Sequence, residues 1–555
     1  GRTIIIPTQN ITWSPSFLGI PLCMAVNVWE DQLIPHLLKY RIDSTTAIRP
    51  QMVKDLMVAI AAQSKEKFEK LYLDHFMSSY GLSVYDAYNQ FYLWIKAFIE
   101  GTNVSGICGA NGETITPQVV IAGRQPSLHK YSIRAFYPKI VKTKTMQIHP
   151  LVCNGYNADF DGDQMWFCAL LSEEAKAEAI DKLSVMKDII NAKNGDVILK
   201  HSQDIALGIY CATMLKDNAL CIADYDVPNY DINYYSSILE LRADVLERII
   251  HTYELVCLDY EGNKYVSTAG RILFNSLLPG GLSPDNKFTN PLQIPGLMED
   301  HYSGLLYDGL ITSGSPNAHI DSFKLSSICK KIYEESLSTD TYALIDVYQD
   351  ITEMGFRICD LFGVSISLDD LKEITDRSTK SEKLKDADEE KAAYERDYQF
   401  GLLSLDDKVT AVHKVYKHTL DSIQDNIFGN DTKNILSSMN RNNNVFIMYD
   451  SGARGSKLQI MQTVGAVGSL QKTKTEDLPN PITSNYSEGL SSFDFQMMAY
   501  STRTGMASTQ NETANAGYGT RKAVYCTAGI KIIEADCGKT DWWYDIEYDS
   551  TKPLN

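Results

Sequence analysis

The sequence predicts an α+β protein, and three observations carry that reading. An apolar strand, Thr3-Ile4-Ile5-Ile6-Pro7, opens the chain, and strand-like alternation returns near Val119 and runs to about residue 170. Between them the apolar residues Leu56, Ile60, Phe68, Leu71 and Phe76 recur at helical spacing. The stretch from Glu488 to Cys526 contains no proline, and at ~1.5 Å per residue a continuous helix there would reach on the order of 55 Å.

Taken in order, residues 1–20 hold the first strand region and 21–113 form a helical insertion. Residues 114–215 bring back the strands, and 216–365 mix helices with short loops in a supporting region. In 366–430, two charged helical stretches, about 379–399 and 405–426, flank Gly401; Ser404 and Asp407 have capping-box spacing, so a helical hairpin is expected. The last segment, 431–555, contains the long helix, whose Gly505, Gly517 and Gly519 each cost about 1 kcal/mol relative to alanine and permit close approach or bending.

The chain has 555 residues, 52 basic and 70 acidic side chains and a net charge of −18, whereas nucleic-acid binders are usually basic. The distribution offsets this balance: no acidic residue lies between Thr114 and Ala158, a stretch holding Arg124, Lys130, Arg134, Lys139, Lys142 and Lys144. Such a patch can screen phosphates locally. Eleven cysteines without a Cys-x-x-Cys pair, no signal-peptide pattern and no run long enough to span a bilayer point to a reducing compartment and no membrane.

The most specific feature is Asn157-Ala-Asp-Phe-Asp-Gly-Asp-Gln-Met165, with Asp159, Asp161 and Asp163 at alternate positions and one kink expected at Gly162. Clustered acids repel unless a cation neutralises them, and oxygen-only ligation selects Mg²⁺ or Mn²⁺ over zinc. An EF-hand does not fit. Counted from Asp159, the turn glycine and closing glutamate positions hold Gln164 and Leu170; counted from Asn157, the closing position holds Cys168. An acidic solvated turn is the common alternative. The apolar flanks, Ile148 to Cys153 and Met165 to Leu170, read as buried strands and favour a buried, metal-holding loop.

The nine-residue loop resembles the signature of the largest (β′) subunit of bacterial-type multisubunit DNA-dependent RNA polymerases. Gly123-Arg124-Gln125-Pro126-Ser127-Leu128-His129 is similar to that family's Asn-Arg-x-Pro-Thr-Leu-His; Ser202-Gln203-Asp204 through Leu207-Gly208 extends the likeness, and Ala269-Gly270-Arg271-Ile272-Leu273 and Pro279-Gly280-Gly281 resemble its pore region. Asp450-Ser-Gly-Ala-Arg-Gly-Ser456, Pro481-Ile-Thr483 and Glu488-Gly-Leu490 extend the likeness further. The resemblance implies a double-psi β-barrel catalytic core with large helical insertions, a helical hairpin at the channel rim and a long bridge helix. It implies two-metal nucleotidyl transfer, one Mg²⁺ held by Asp159, Asp161 and Asp163 and a second arriving with the NTP. Arg124 and Asn157 would face the nucleotide's ribose hydroxyls and Arg454 its triphosphate. Arg503, Thr513, Ala514, Gly517 and Tyr518 would lie on the bridge helix against nucleic acid. Asn157 alternatively shapes the turn, the arginines alternatively pair with surface carboxylates, and Glu512 replaces a lysine usual in bacterial relatives.

Partners implied are a β-like subunit, DNA template, RNA transcript, NTPs and a promoter-specificity factor. A clamp, a zinc ribbon and a trigger loop are not found in the sequence. The expectation is a split β′ fragment of the giant-bacteriophage type, with other chains carrying the rest, working in the bacterial host cytoplasm or packaged in the virion. Cys537 stands where relatives begin a zinc site, but a lone ligand makes zinc unlikely. Two other readings are a non-catalytic assembly scaffold and a barrel-type RNA-dependent RNA polymerase. The mutually repelling aspartates argue against the first, and the Ser-Gly-Ala-Arg-Gly-Ser motif with the bridge-helix likeness against the second.

Overall fold

A computed structural model describes residues 1–531 except 9, 11, 41–48, 76–82, 102–114, 188, 192–194, 215–232, 280–288, 293–300, 307–318, 337–340, 429–442 and 471–480. Phe76, Gly280, Gly281 and Cys537 therefore lie outside the described residues. The chain divides into two compact units, Gly1–Lys372 with Leu436–Ser456, and Glu373–Ile435 with Lys457–Asn555.

The first unit is built on a closed six-stranded barrel. Its strands are β1 (Arg2–Pro7), β2 (Phe17–Pro21), β3 (Val120–Gly123), β4 (Ile133–Val141), β5 (Met146–Ile148) and β6 (Gln164–Ala169). They close in the order β1-β5-β2-β4-β3-β6, mixing parallel pairs (Ile5 with Met146, Phe17 with Tyr137) and antiparallel ones (Val120 with Phe136, Gly123 with Trp166). Ile5, Leu18, Ile20, Val120, Phe136, Met146, Met165 and Phe167 are buried. Burial of such side chains contributes roughly 1.5–3 kcal/mol each.

Between β2 and β3 lie helices α1 (Leu22–Val28), α2 (Glu30–Tyr40), α3 (Pro50–Ala61), α4 (Lys65–His75) and α5 (Val84–Glu100). Pro50 at the first turn of α3 and the Ser83 hydroxyl accepting from Asp86 N at α5 mark two of their starts. Glu100, 2% exposed, ends α5 and accepts from Ile140 N at 2.8 Å and Lys139 Nζ at 3.3 Å, which ties the helical insertion to β4.

After β5 a 3-10 turn (Pro150–Val152) and the short α6 (Cys153–Tyr156) lead to the acidic loop. This corrects the expectation of a strand there: an apolar run this short has no period to separate strand from helix, and Pro150 starts a helical turn. Beyond the barrel come α7 (Glu173–Leu183) and α8 (Asp204–Thr213), the latter buried from Ile205 to Thr213. Next are α9 (Ile238–Leu246), α10 (Ala269–Leu277), α11 (Ser322–Ser336), α12 (Thr341–Phe362), α13 (Leu368–Ile374) and a five-stranded sheet. Its strands β7 (Asn233–Tyr235), β8 (Leu255–Tyr260), β9 (Asn263–Thr268), β10 (Thr289–Leu292) and β11 (His301–Leu306) run in the order β10-β11-β9-β8-β7.

In the second unit, α14 (Arg377–Gln399) and α15 (Leu405–Phe428) form an antiparallel hairpin around Ala387, Val412, Val415 and Tyr416. Asp407 N donates to Ser404 Oγ at 3.1 Å, and the hydroxyl donates to the Asp407 carboxylate at 2.6 Å. The 3-residue spacing thus caps α15. Helix α16 (Asn444–Asp450) belongs to the first unit; α17 (Lys457–Ile460), a π turn (Met461–Gly465) and α18 (Ser492–Thr527) belong to the second. The 36-residue α18 has no buried residue, and beside Gly505, Gly517 and Gly519 a Cβ would meet open space. Among the described residues, no contact therefore requires those glycines. No described helix is long and apolar enough to cross a membrane.

Candidate functional site

The acidic loop is held at both ends by the barrel. On the entry side, His149 Nδ1 accepts from Leu151 N at 3.2 Å, Asn154 Nδ2 donates to Ile198 O at 3.1 Å, and the buried Tyr156 hydroxyl donates to Ala122 O at 3.1 Å. Asn157 then adopts a left-handed conformation (φ 46°, ψ 46°) and caps α6. Asparagine tolerates this better than other non-glycine residues. The backbone therefore turns at Asn157 as well as at Gly162 (φ 125°), not at Gly162 alone. On the exit side, Ile5 N donates to Asp163 O at 3.0 Å, joining the loop to β1.

The loop presents Asp159, Asp161 and Asp163 with one carboxylate oxygen from each within 4.8 Å of the others. Asp159 and Asp161 are exposed and Asp163 is half-buried, so the expectation of a buried loop is corrected. Ile148, His149, Leu151, Val152, Met165 and Phe167 in the flanks are buried, whereas Cys168 is exposed, and the double turn at Asn157 and Gly162 lifts the aspartates out of the core. The carboxyls differ electrically. Hydrogen bonding to Asp161 raises the pKa of Asp159, helped by desolvation and by the charges of Asp161 and Asp163. Hydrogen bonding from Arg124 holds Asp163 below the usual carboxylate range.

Arg124 follows β3 and reaches Asp163 in a two-pronged pair, Nε to Oδ2 at 2.8 Å and Nη2 to Oδ1 at 3.1 Å, while Nη1 donates to Tyr156 O at 3.4 Å. A third donor, Asp159 N, reaches Asp163 Oδ2 at 3.2 Å. Gly123 sets the approach: a Cβ there would lie 2.4 Å from Trp166 Cζ2, so the indole of β6 rests on bare backbone immediately before Arg124. Gly123, Trp166, Tyr156 and His149 are supports that sequence reasoning missed; only the glycine next to the arginine hinted at them.

The donor set fits Mg²⁺ or Mn²⁺, being oxygen only and anionic. Beside the loop, burial, aided by the charge of Asp159, pushes the Cys153 thiol up to about 12. Among the described residues this is the one group of three or more His, Cys, Asp or Glu side chains placed to hold a metal.

The basic stretch is less free than its composition suggests. Arg134 is buried with its guanidinium 5.1 Å from the Tyr131 ring centre, Lys139 pairs with Glu100, and Arg124 pairs with Asp163; Lys130, Lys142 and Lys144 are exposed. Arg454 lies on an exposed turn after α16, its N–H bonded to Met448 O at 3.2 Å, and no described ion pair joins it to the aspartates. Arg503, Thr513, Ala514, Gly517 and Tyr518 are all exposed on α18. Thr513 and Gly517, like Ala514 and Tyr518, are four residues apart and share a face.

Models of one family match successive parts of the chain: RNA polymerase Rpb1 domain 2 over residues 1–185, domain 3 over 188–371 and domain 4 over 405–501. The DNA-directed RNA polymerase subunit β′ of Clostridioides difficile is 32% identical over 437 residues, covering 77% of this chain and 34% of that subunit. The β′ subunit of Borreliella burgdorferi is 32% identical over 420 residues (76% and 27%), and that of Listeria welshimeri 30% over 441 (77% and 35%). The chain spans about a third of the length of these curated relatives.

Proposed function

The chain belongs to the RNA polymerase Rpb1/β′ family, and on that premise we propose that it is a catalytic β′-like portion of a DNA-dependent RNA polymerase that extends RNA on a DNA template. The observation that carries the proposal is the convergence of Asp159, Asp161 and Asp163 on a loop anchored to a closed barrel, which we read as the double-psi type. When bound, a divalent cation there would favour ionisation of the RNA 3′ hydroxyl, with a second cation arriving on the nucleotide to offset pyrophosphate charge.

The chain's own residues do the rest. The three carboxylates supply hard anionic ligands. Of the five N–H donors of Arg124, three are engaged by Asp163 and Tyr156, which leaves two for a ribose oxygen of the incoming nucleotide. Asn157, fixed by its left-handed backbone, sits in the same loop and offers an amide to the sugar. Arg454 on its exposed turn is assigned to the triphosphate, and the exposed face of α18 bearing Thr513, Ala514, Gly517 and Tyr518, with Arg503, to the template and transcript as a bridge helix. A β-like subunit and the remaining β′ segments complete the assembly, with a promoter factor for initiation.

The test is primer extension by the reconstituted complex, with Mg²⁺, on DNA and RNA templates. Asp161→Ala is expected to abolish extension on DNA. Unchanged extension would overturn the catalytic assignment, and a preference for RNA templates would favour the RNA-dependent class.

A further inference from the structure

We infer that Arg124 acts as a counter-charge on Asp163 that restrains the affinity of the aspartate trio for a divalent cation. This rests on the proposed reading of the trio as the metal site. A carboxylate offers about four acceptor positions. Three N–H groups already occupy those of Asp163, two from Arg124 and one from the Asp159 backbone. A cation bound to Asp163 must use the position that remains, or displace a donor, and in either case sits next to a guanidinium of like charge. Asp159 and Asp161 have no described ion pair with a basic side chain, so the restraint falls on one ligand of the three.

The pair is built in and not a chance surface contact. The side chains are 17% and 19% exposed, which shields them from solvent more than an ordinary surface bridge. Arg124 is constrained from two sides: its backbone follows Gly123, on which Trp166 rests, and its Nη1 bonds to the carbonyl of Tyr156, itself buried and bonded to Ala122 O. Any nucleotide group that draws the guanidinium from Asp163 would therefore strengthen cation binding, and by reciprocity a bound cation would free Arg124 for the nucleotide.

The experiment measures Mn²⁺ binding to the reconstituted complex by electron paramagnetic resonance. Fe²⁺-driven backbone cleavage beside residues 157–163 serves as the positional readout. Arg124→Gln should tighten Mn²⁺ binding about tenfold, the scale of one charge-assisted hydrogen bond. Arg124→Lys, which keeps the charge but not the planar fork, should fall between that variant and the unmodified chain. Unchanged or weaker binding in Arg124→Gln would overturn the inference; if that variant does not assemble, Arg124→Lys decides by the same sign. Asp161→Asn separates the two layers. If it leaves Mn²⁺ binding and cleavage unaltered, the metal site itself is misassigned; if it weakens both while Arg124→Gln changes nothing, only the role of Arg124 falls.

Discussion

Gly208 sits where α8 crosses α12, and alanine there gives the sharpest stability test of the fold. A Cβ on Gly208 would stand 1.8 Å from Gly355 O, against the 3.0 Å below which real contacts essentially do not occur, a shortfall of 1.2 Å. The obstacle is backbone, so no rotamer change relieves it, and the two helices must part by about that amount. A gap of 0.5–1 Å already forfeits a quarter to a half of each dispersion contact across an interface. Overpacking at a rigid site commonly costs about 1–3 kcal/mol. We expect Gly208→Ala to reach the upper end, about 3 kcal/mol, and Gly355→Ala, whose Cβ would lie 2.7 Å from Ile205 O, to cost less. Hydrogen exchange of α8 and α12 amides reads this directly: 3 kcal/mol corresponds to an acceleration on the order of a hundredfold. Exchange unchanged in Gly208→Ala, or the reverse order of the two variants, would refute the close crossing.

Removing the buried carboxylate in Glu100→Ala should cost about 3–5 kcal/mol, because Lys139 and Ile140 N lose their partner. Glu100→Gln, which keeps an acceptor for Ile140 N, should cost less, as urea melts can show. His149 and His201 are both buried and lowered to about 4, by burial first. The unfolded chain takes up their protons near 6.5 and the folded chain only near 4, so stability is full above pH 6.5 and falls as the pH drops toward 4. The slope should approach about 1.4 kcal/mol per pH unit for each histidine. Urea midpoints at pH 7.5, 6 and 5 test it, and His201→Gln should flatten the slope. In α18, Gly505→Ala and Gly517→Ala meet open space and should stabilise the helix by up to about 1 kcal/mol. If the proposed bridge role holds, extension should slow even as proteolysis of α18 is suppressed.

The long helix was legible because a proline-free stretch of that length has few alternatives, and the hairpin because Gly401 and the Ser404/Asp407 cap punctuate its charged helices. The barrel was not legible from periodicity. The alternation from near Val119 to about residue 170 marked strands but neither their number nor their pairing, because β3 and β5 span only four and three residues and β2 and β3 are separated by the helical insertion. Only the resemblance carried by the Asp159–Asp163 motif suggested a barrel. The segment after Ile148 was misread because its apolar residues suit a buried strand equally well; Pro150 and Asn157, marking the start and end of helical turns, were the clues. The aspartates themselves were evident from spacing, but their exposure and the hold of Arg124 on Asp163, across 39 residues, arise only when β3 and β6 pair.

Coordination by the aspartate trio of a metal used in RNA extension can be probed with Asp161→Cys in the reconstituted complex. A thiolate binds the hard Mg²⁺ poorly and softer ions better. Extension should be lost in Mg²⁺ and partly restored by Mn²⁺ or Cd²⁺, with no such restoration in Asp161→Ala. Full activity of Asp161→Cys in Mg²⁺, or equal rescue of the alanine variant, would contradict metal coordination by the trio.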